Sequence, residues 1–410
     1  MSNHVIEEAK RCLQCKNPRC TEGCPVRTDI RGTIALFRES RLEEAGEKLF
    51  ENNPLSLVCS YVCPQESQCE GHCVLGIKGN PVQFSIIENY VSDYYLGLLD
   101  KREINIKKNG MKAAVIGSGP AGITIAIILA GKGYDITIFE GNDKIGGVLR
   151  YGIPEFRLPK SVLDRLVIAL KRYGVKIRPN TRIGMNLTVD DLFRDGYKSI
   201  FIGTGVWRPY RLSLPGESYG NVHYAIDYLH NPDVYELGDR VIVVGGGNTA
   251  IDVARTVVRH GCHDVTLVFN RSEDKLSASR KEVEFAKVDG VKFLFCKDTK
   301  RFTEDGIIID DCAEDENGVL HDIEGSETLL PSDSTIVAVG QGPFSVIVRS
   351  TSGIDVGSRG LVEVDEDGRT TREGVFASGD VVTGAKTVVE AVKVSKRVAA
   401  AMDEYMRGLK

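Results

Sequence analysis

The chain has 410 residues, with 52 Lys and Arg against 57 Asp and Glu, for a formal charge of −5. This mild acidity lacks the basic excess that nucleic-acid or membrane-surface proteins use to neutralise phosphates, and 42% apolar content is enough to exclude a mostly disordered chain. No run approaches ~18 consecutive apolar residues and the amino end has no apolar signal core, so neither a membrane span nor nucleic-acid binding is expected, and a cytoplasmic location is.

Eleven cysteines are present, and eight of them lie between Cys12 and Cys73. Reducing compartments disfavour disulfides, so a cluster of thiols there reads as a set of metal ligands. The spacing is Cys12-x2-Cys15-x4-Cys20-x3-Cys24-Pro25, then Cys59-x3-Cys63-Pro64-x4-Cys69-x3-Cys73. Structural zinc sites usually pair two C-x2-C knuckles, and this stretch has one. Cys-Pro steps accompany iron–sulfur ligands, and eight thiolates match two [4Fe–4S] clusters at four ligands each. Short helices are expected over 29–37, 41–50 and 86–99, with little apolar core, so that metal binding supplies much of the folding free energy. Cys262, Cys296 and Cys312 form no C-x-x-C and read as packed thiols, which disfavours a disulfide relay.

The character of the chain changes near Met111. A buried strand, Lys112–Ile116, runs into Gly117-Ser118-Gly119-Pro120-Ala121-Gly122, then an apolar helix over 123–130, then a strand, Asp135–Phe139, ending at Glu140. This is a dinucleotide-binding unit. Glycines allow a tight turn and close approach to a pyrophosphate, the helix start offers free N–H groups, and the acid accepts from a ribose hydroxyl. The unit recurs as the strand Arg240–Val244, then Gly245-Gly246-Gly247-Asn248-Thr249-Ala250, a helix over 251–259 and the strand Asp264–Phe269. Its second strand ends in Asn270-Arg271 instead of an acid, and a guanidinium there suits a 2′-phosphate, so this site leans to NADP. Two different dinucleotide signatures suggest a flavin at the first and a nicotinamide at the second.

A short strand ending in Gly379-Asp380 and a helix beginning near Thr387 complete the pattern. With Gly117, Gly119, Pro120, Ala121 and Gly122, Glu140, Gly146-Gly147, Gly203-Thr204-Gly205, Gly245 to Ala250 and Val339-Gly340, the chain resembles the two-dinucleotide-binding-domain flavoproteins. The resemblance implies that Asp380 bonds the ribityl–phosphate arm of FAD and that the helix from Thr387 points its positive end at the flavin. It also implies a split FAD domain at 108–207 and 341–410, an inserted NADP(H) domain at 208–340, and a helical iron–sulfur domain at 1–107.

The cysteine pattern, Asn53-Pro54 and the stretch Tyr151-Gly152-Ile153-Pro154-Glu155-Phe156-Arg157-Leu158-Pro159-Lys160 extend the likeness to nearly the whole chain. It resembles the glutamate synthase small-subunit family. Relatives include flavin subunits of dihydropyrimidine dehydrogenase and of an electron-bifurcating transhydrogenase. The expected architecture is therefore an α/β two-dinucleotide-binding-domain flavoprotein with an N-terminal α-helical iron–sulfur domain. By the same resemblance one cluster takes Cys12, Cys15, Cys20 and Cys73, and the other takes Cys24, Cys63, Cys69 and Glu88 of Ile86-Ile87-Glu88-Asn89-Tyr90. Cys59 is then a spare thiol, or the replacement if Glu88 is an ordinary surface acid. The implied FAD contacts are Gly117, Gly119, Pro120, Ala121, Gly122, Glu140, Gly147, Gly205, Gly379, Asp380 and Thr387, and those to NADP are Gly245, Gly247, Asn248, Thr249 and Arg271. Two departures stand out: Asn270 occupies the first of two positions often basic in NADP-preferring relatives, and the chain is short between Lys300 and Thr335. The implied activity is electron transfer between NADPH, FAD and two [4Fe–4S] clusters, toward a catalytic or electron-accepting partner subunit. The alternatives are electron input to a dihydropyrimidine dehydrogenase or a bifurcating transhydrogenase, and, from another class, a non-catalytic cluster-bearing scaffold.

Overall fold

The computed structural model describes residues 3–409. They divide into two compact units, one formed by the chain up to Arg150, Glu155–Val206 and Pro343 onward, the other by Tyr151–Pro154 and Trp207–Gly342.

The first unit is built on a parallel sheet in the order Val375–Ala377, Tyr197–Ile202, Lys112–Ile116, Asp135–Phe139, Lys176–Arg178. Residues 113–116 and 199–202, in the adjacent strands Lys112–Ile116 and Tyr197–Ile202 at the centre of the sheet, are continuous buried runs because both faces are covered, whereas the edge strand Lys176–Arg178 is exposed at both ends. Ala114, Ile116, Ile200 and Ile202 share one core with Leu192 and Ile347. On the other face Val115 meets the helix Pro120–Gly131, which is buried on almost every side. That helix starts three residues earlier than the apolar run suggests, since Pro120 fills the first helical position, where its missing N–H costs nothing. The long helix Val388–Gly408 packs on it. Asp403 of the long helix accepts from Tyr134 Oη at 2.7 Å and Lys132 Nζ at 2.8 Å, which ties the two chain regions together.

The amino-terminal helices Ile30–Arg38, Leu42–Asn52, Ser56–Val62 and Phe84–Leu99 belong to the same unit. Asp29 caps the first of these by accepting from Gly32 N at 3.0 Å, so the helix expected from residue 29 begins one residue later. Ile30, Ile34, Phe37, Leu49, Ile87 and Val91 form a small core that the sequence did not reveal. This bundle is anchored to the parallel sheet's helices in the same unit. Arg172 donates to the Asp100 carbonyl at 2.8 Å, Arg165 pairs with Asp93, and the Phe50 and Tyr173 rings lie 6.1 Å apart.

The second unit repeats the parallel design in the order Val222–Tyr224, Ser334–Val337, Arg240–Val244, Asp264–Phe269, Lys292–Phe295. An antiparallel sheet of Lys297–Thr303, Gly306–Glu314, Leu320–Asp322 and Thr328–Pro331 follows. Arg208–Pro209 and Gln341–Gly342 pair as a short ribbon where the chain enters and leaves this unit.

Candidate functional site

At the first glycine loop, each glycine has a separate task. Gly117 sits at φ +95°, and a Cβ there would stand 2.5 Å from the Gly203 carbonyl oxygen. A Cβ on Gly122 would stand 2.0 Å from Gly117 O, so this glycine sets the close approach of helix to strand. Gly119 differs: nothing lies within 4 Å of its would-be Cβ, and this is the open side on which a pyrophosphate can approach. Pro120 and Ala121 follow as the first helical turn, whose N–H groups have no intrahelical acceptor. Glu140 is buried, and its carboxylate accepts from Ser118 N at 3.0 Å, from the Ser118 hydroxyl, and from Asn142 N at 2.8 Å. It thereby fixes the loop from the end of the strand Asp135–Phe139. Gly147 (φ +53°) would bring a Cβ 2.9 Å from Gly119 Cα, and Gly205 has φ +70°.

Gly379 (φ +77°) lies against Ala121 of that same helix start. Next to it, burial raises the Asp380 carboxyl to about 6, against a backbone bond from Lys386 N at 3.2 Å that lowers it. The Thr387 hydroxyl donates to Glu390 Oε2 at 2.8 Å. The side chain and N–H form a capping box with Glu390, which leaves Val388 and Val389 amides at the helix start without intrahelical acceptors. An acid raised from about 3.9 to about 6 is ionised at pH 7 in both folded and unfolded chain, and its burial costs the flavin-free fold about 3 kcal/mol. The cost appears as pH rises through this window and is absent below it. Asp380→Asn is therefore expected to raise the Tm of the flavin-free chain at pH 7, with a smaller gain at pH 5, while lowering the flavin:protein ratio. Thermal unfolding at both pH values and flavin absorbance measure the two effects.

The second loop lies wholly within the second unit. Gly245 (φ +146°) would place a Cβ 2.4 Å from Ala338 O, and Gly246 would meet the Phe269 ring at the same distance. Gly247 leaves room, with Ser277 Oγ its nearest neighbour at 3.5 Å. The cleft is lined by Gly245, Gly246, Gly247, Thr249, Asn270, Ser277, Lys297, Asp298 and Gly340. Asn248 turns aside, its Oδ1 accepting from Ser279 N at 2.9 Å. Arg271 is not in the lining. It pairs with Glu314 at 2.8 Å and reaches the Gly318 carbonyl at 3.4 Å. Lys297, Asp298 and Glu314 were not legible as site residues, because the antiparallel sheet that delivers them carries no motif.

The amino-terminal thiols gather in two places. Cys12, Cys15, Cys20 and Cys73 line one apolar hollow with Leu13, Ile34 and Phe84, and Cys69 borders it. Gln14 Nε2 donates to Cys12 Sγ and Val82 N to Cys73 Sγ, each at 3.5 Å. Burial pushes the Cys20 thiol up to about 11. The second group is Cys24, Cys63, Cys69 and Glu88, with Cys59 beside them. Cys69 is pushed well up by burial and by Glu88 and Cys24, and Cys63 by its bond to Cys59 and by burial. Glu88 is buried, not an exposed helix acid, and burial raises it far above the carboxylate range, with Cys59 and Glu70 as its charged neighbours. Asn53 Nδ2 donates to Cys59 Sγ at 3.2 Å. Thiols and a carboxylate crowded together and withdrawn from water form a donor set that fits a metal cluster.

Residues 111–395 match the family described as pyridine nucleotide-disulphide oxidoreductase. Residues 1–97 match dihydropyrimidine dehydrogenase domain II, 4Fe-4S cluster. The glutamate synthase [NADPH] small chain of Halomonas elongata is 34% identical over 97% of this chain and 90% of its own length. The Escherichia coli K12 counterpart is 32% identical over 96% and 89%. The E. coli NAD-dependent dihydropyrimidine dehydrogenase subunit PreT is 32% identical over 98% and 95%. Among solved structures, Mycobacterium tuberculosis FprA in complex with NADPH aligns with a TM-score of 0.62 at 16% identity, over 73% of this chain and 85% of that one. T. acidophilum thioredoxin reductase gives 0.56 at 22%, over 73% and 98%. These two show the shared fold. Among the described residues, no helix is long and apolar enough to cross a membrane. The chain belongs to the pyridine nucleotide-disulphide oxidoreductase family, as an FAD- and NADP(H)-type oxidoreductase with an amino-terminal 4Fe–4S domain, similar over nearly its whole length to glutamate synthase small chains.

Proposed function

We propose that the chain is the electron-input subunit of a larger enzyme, most like the glutamate synthase small subunit, with NADPH at the Gly245 loop, FAD at the Gly117 loop and two [4Fe–4S] clusters at the amino end. The Gly245 loop would hold a nicotinamide as hydride donor, the Gly117 loop a flavin able to exchange both hydride and single electrons, and the amino-terminal thiols clusters able to pass single electrons toward a partner subunit. The observation that carries this reading is the separation of the amino-terminal thiols into two groups within the same unit as the Gly117 loop. The proposed ligands are Cys12, Cys15, Cys20 and Cys73 for one cluster, and Cys24, Cys63, Cys69 and Glu88 for the other.

Side chains in this scheme bind and orient. Gly119 gives the pyrophosphate room, and Glu140 holds the loop while offering its remaining lone pairs to a ribose. Gly247 and Thr249 border the nicotinamide cleft. No side-chain nucleophile is required. An isolated, flavin-loaded chain is expected to reduce an artificial dye with NADPH. Full flavin and iron with no dye reduction would favour the scaffold reading.

The coenzyme preference turns on Arg271, whose charge is shared with Glu314. Charged hydrogen bonds contribute about 1.5–3 kcal/mol, which is about tenfold or more in binding. Arg271→Ala is therefore expected to lower the NADPH/NADH ratio of kcat/KM by about that factor. Glu314→Gln, which frees the guanidinium, is expected to raise it. Steady-state dye reduction with both coenzymes decides, and an unchanged ratio in the alanine variant removes Arg271 from the site.

A further inference from the structure

The long helix Val388–Gly408 starts beside the Gly379-Asp380 turn and carries Lys396 eight residues in, about 12 Å along its axis. The half-buried Lys396 ammonium donates to Asn52 Oδ1 at 2.6 Å. The Asn52 amide then donates to Thr28 Oγ1 at 3.3 Å and to the Val26 carbonyl at 3.2 Å. Thr28 is 3% exposed, and its hydroxyl oxygen accepts from the free Cys24 thiol at 3.4 Å. Lys396 fixes the direction of this chain at one end, and Cys24 would fix it at the other once a cluster displaces its thiol proton, reversing the Cys24–Thr28 bond. An ammonium only donates, and a metal-bound thiolate only accepts. With its oxygen accepting from Asn52, the Thr28 hydroxyl turns its proton to the sulfur. Every dipole from Lys396 to Cys24 then points its positive end at the cluster ligand, and aligned bonds of this kind polarise one another.

We propose that Lys396, acting through Asn52 and Thr28, is a positioning residue that raises the reduction potential of the iron–sulfur cluster held by Cys24. This rests on the ligand set proposed above. A positive charge and donors aimed at a ligand sulfur stabilise the more negative, reduced cluster, and hydrogen bonds to the sulfurs are among the factors that set these potentials. The same helix thus links the flavin end of the fold to one cluster and not merely to a packing surface. Asn52 and Lys396 are 344 residues apart in sequence, so no local motif announces the contact.

The test is an anaerobic redox titration of the full, cluster-loaded chain followed by electron paramagnetic resonance. Lys396→Met is expected to lower the midpoint of one cluster signal, leaving the other signal and the iron and flavin contents unchanged. The signal that moves is the one whose shape changes in Cys24→Ser. Lys396→Arg is expected to keep the parent midpoint, and Thr28→Val to lower the same signal as the methionine variant. Unmoved midpoints in Lys396→Met at full iron would overturn the proposal, as would a shift of the other signal. Loss of iron in Lys396→Met but not Lys396→Arg would also overturn it, since the lysine would then be holding the fold. A parent chain lacking iron would instead overturn the ligand set beneath it.

Discussion

Cys20→Ser is expected to cut bound iron from about eight to about four per chain and to loosen the amino-terminal helices. Cys20 lines the apolar hollow with Cys12, Cys15 and Cys73, and its burial already drives the free thiol up to about 11. Such a thiol keeps its proton at neutral pH, and metal binding would displace that proton to solvent as the thiolate is captured. A serine leaves a harder oxygen donor in an apolar wall, and three thiolates then hold what four held. The small helical core gains part of its stability from that metal, so limited proteolysis within 1–97 should accelerate. Iron and sulfide analysis and the proteolysis rate measure both effects. Glu88→Ala and Cys59→Ala separate the two candidates for the fourth ligand of the second cluster. Glu88→Ala is expected to lose iron, and Cys59→Ala to keep it. The reverse result would make Cys59 the ligand.

The second large effect concerns the Gly117 loop, where fold and binding can be pulled apart. Gly122→Ala puts a methyl 2.0 Å from the Gly117 carbonyl oxygen and 3.2 Å from a Val115 methyl. The nearer obstacle is backbone, so the helix must move off the sheet, at a cost of about 3 kcal/mol or more. Both stability and flavin content are expected to fall. Gly119→Ala meets nothing within 4 Å, and its φ of −71° suits any residue. Its Tm without flavin should match the parent, while flavin affinity drops because the methyl occupies the open side of the loop. Thermal unfolding and flavin titration on both variants check this. Equal flavin binding by Gly119→Ala and the parent would show that the pyrophosphate does not approach there.

The parts of this molecule that could be read from the sequence are those whose physics is local. A strand, a glycine turn, a helix and an acid follow one another within thirty residues, and each glycine answers a steric demand that the structure shows directly, as at Gly117 and Gly122. The cysteines announced a metal by number and spacing. Their grouping joins Cys73 to Cys12 across sixty residues, and only family resemblance suggested it. Charge partners were the least legible. Arg271 suggested a phosphate by position, but Glu314, which holds it, arrives on the antiparallel strand Gly306–Glu314, which carries no motif. Thr387 marked the start of a helix correctly, and the structure adds that its hydroxyl closes a capping box with Glu390, a pairing that the sequence reading did not name.

The most direct test of the electron path is a stepwise anaerobic titration of the cluster- and flavin-loaded chain with NADPH, recorded by visible absorbance and electron paramagnetic resonance on the same samples. Loss of flavin absorbance is expected together with the appearance of signals from reduced 4Fe–4S clusters that grow with each addition. Bleached flavin with clusters that stay silent at excess NADPH, although dithionite reduces them, would contradict that path.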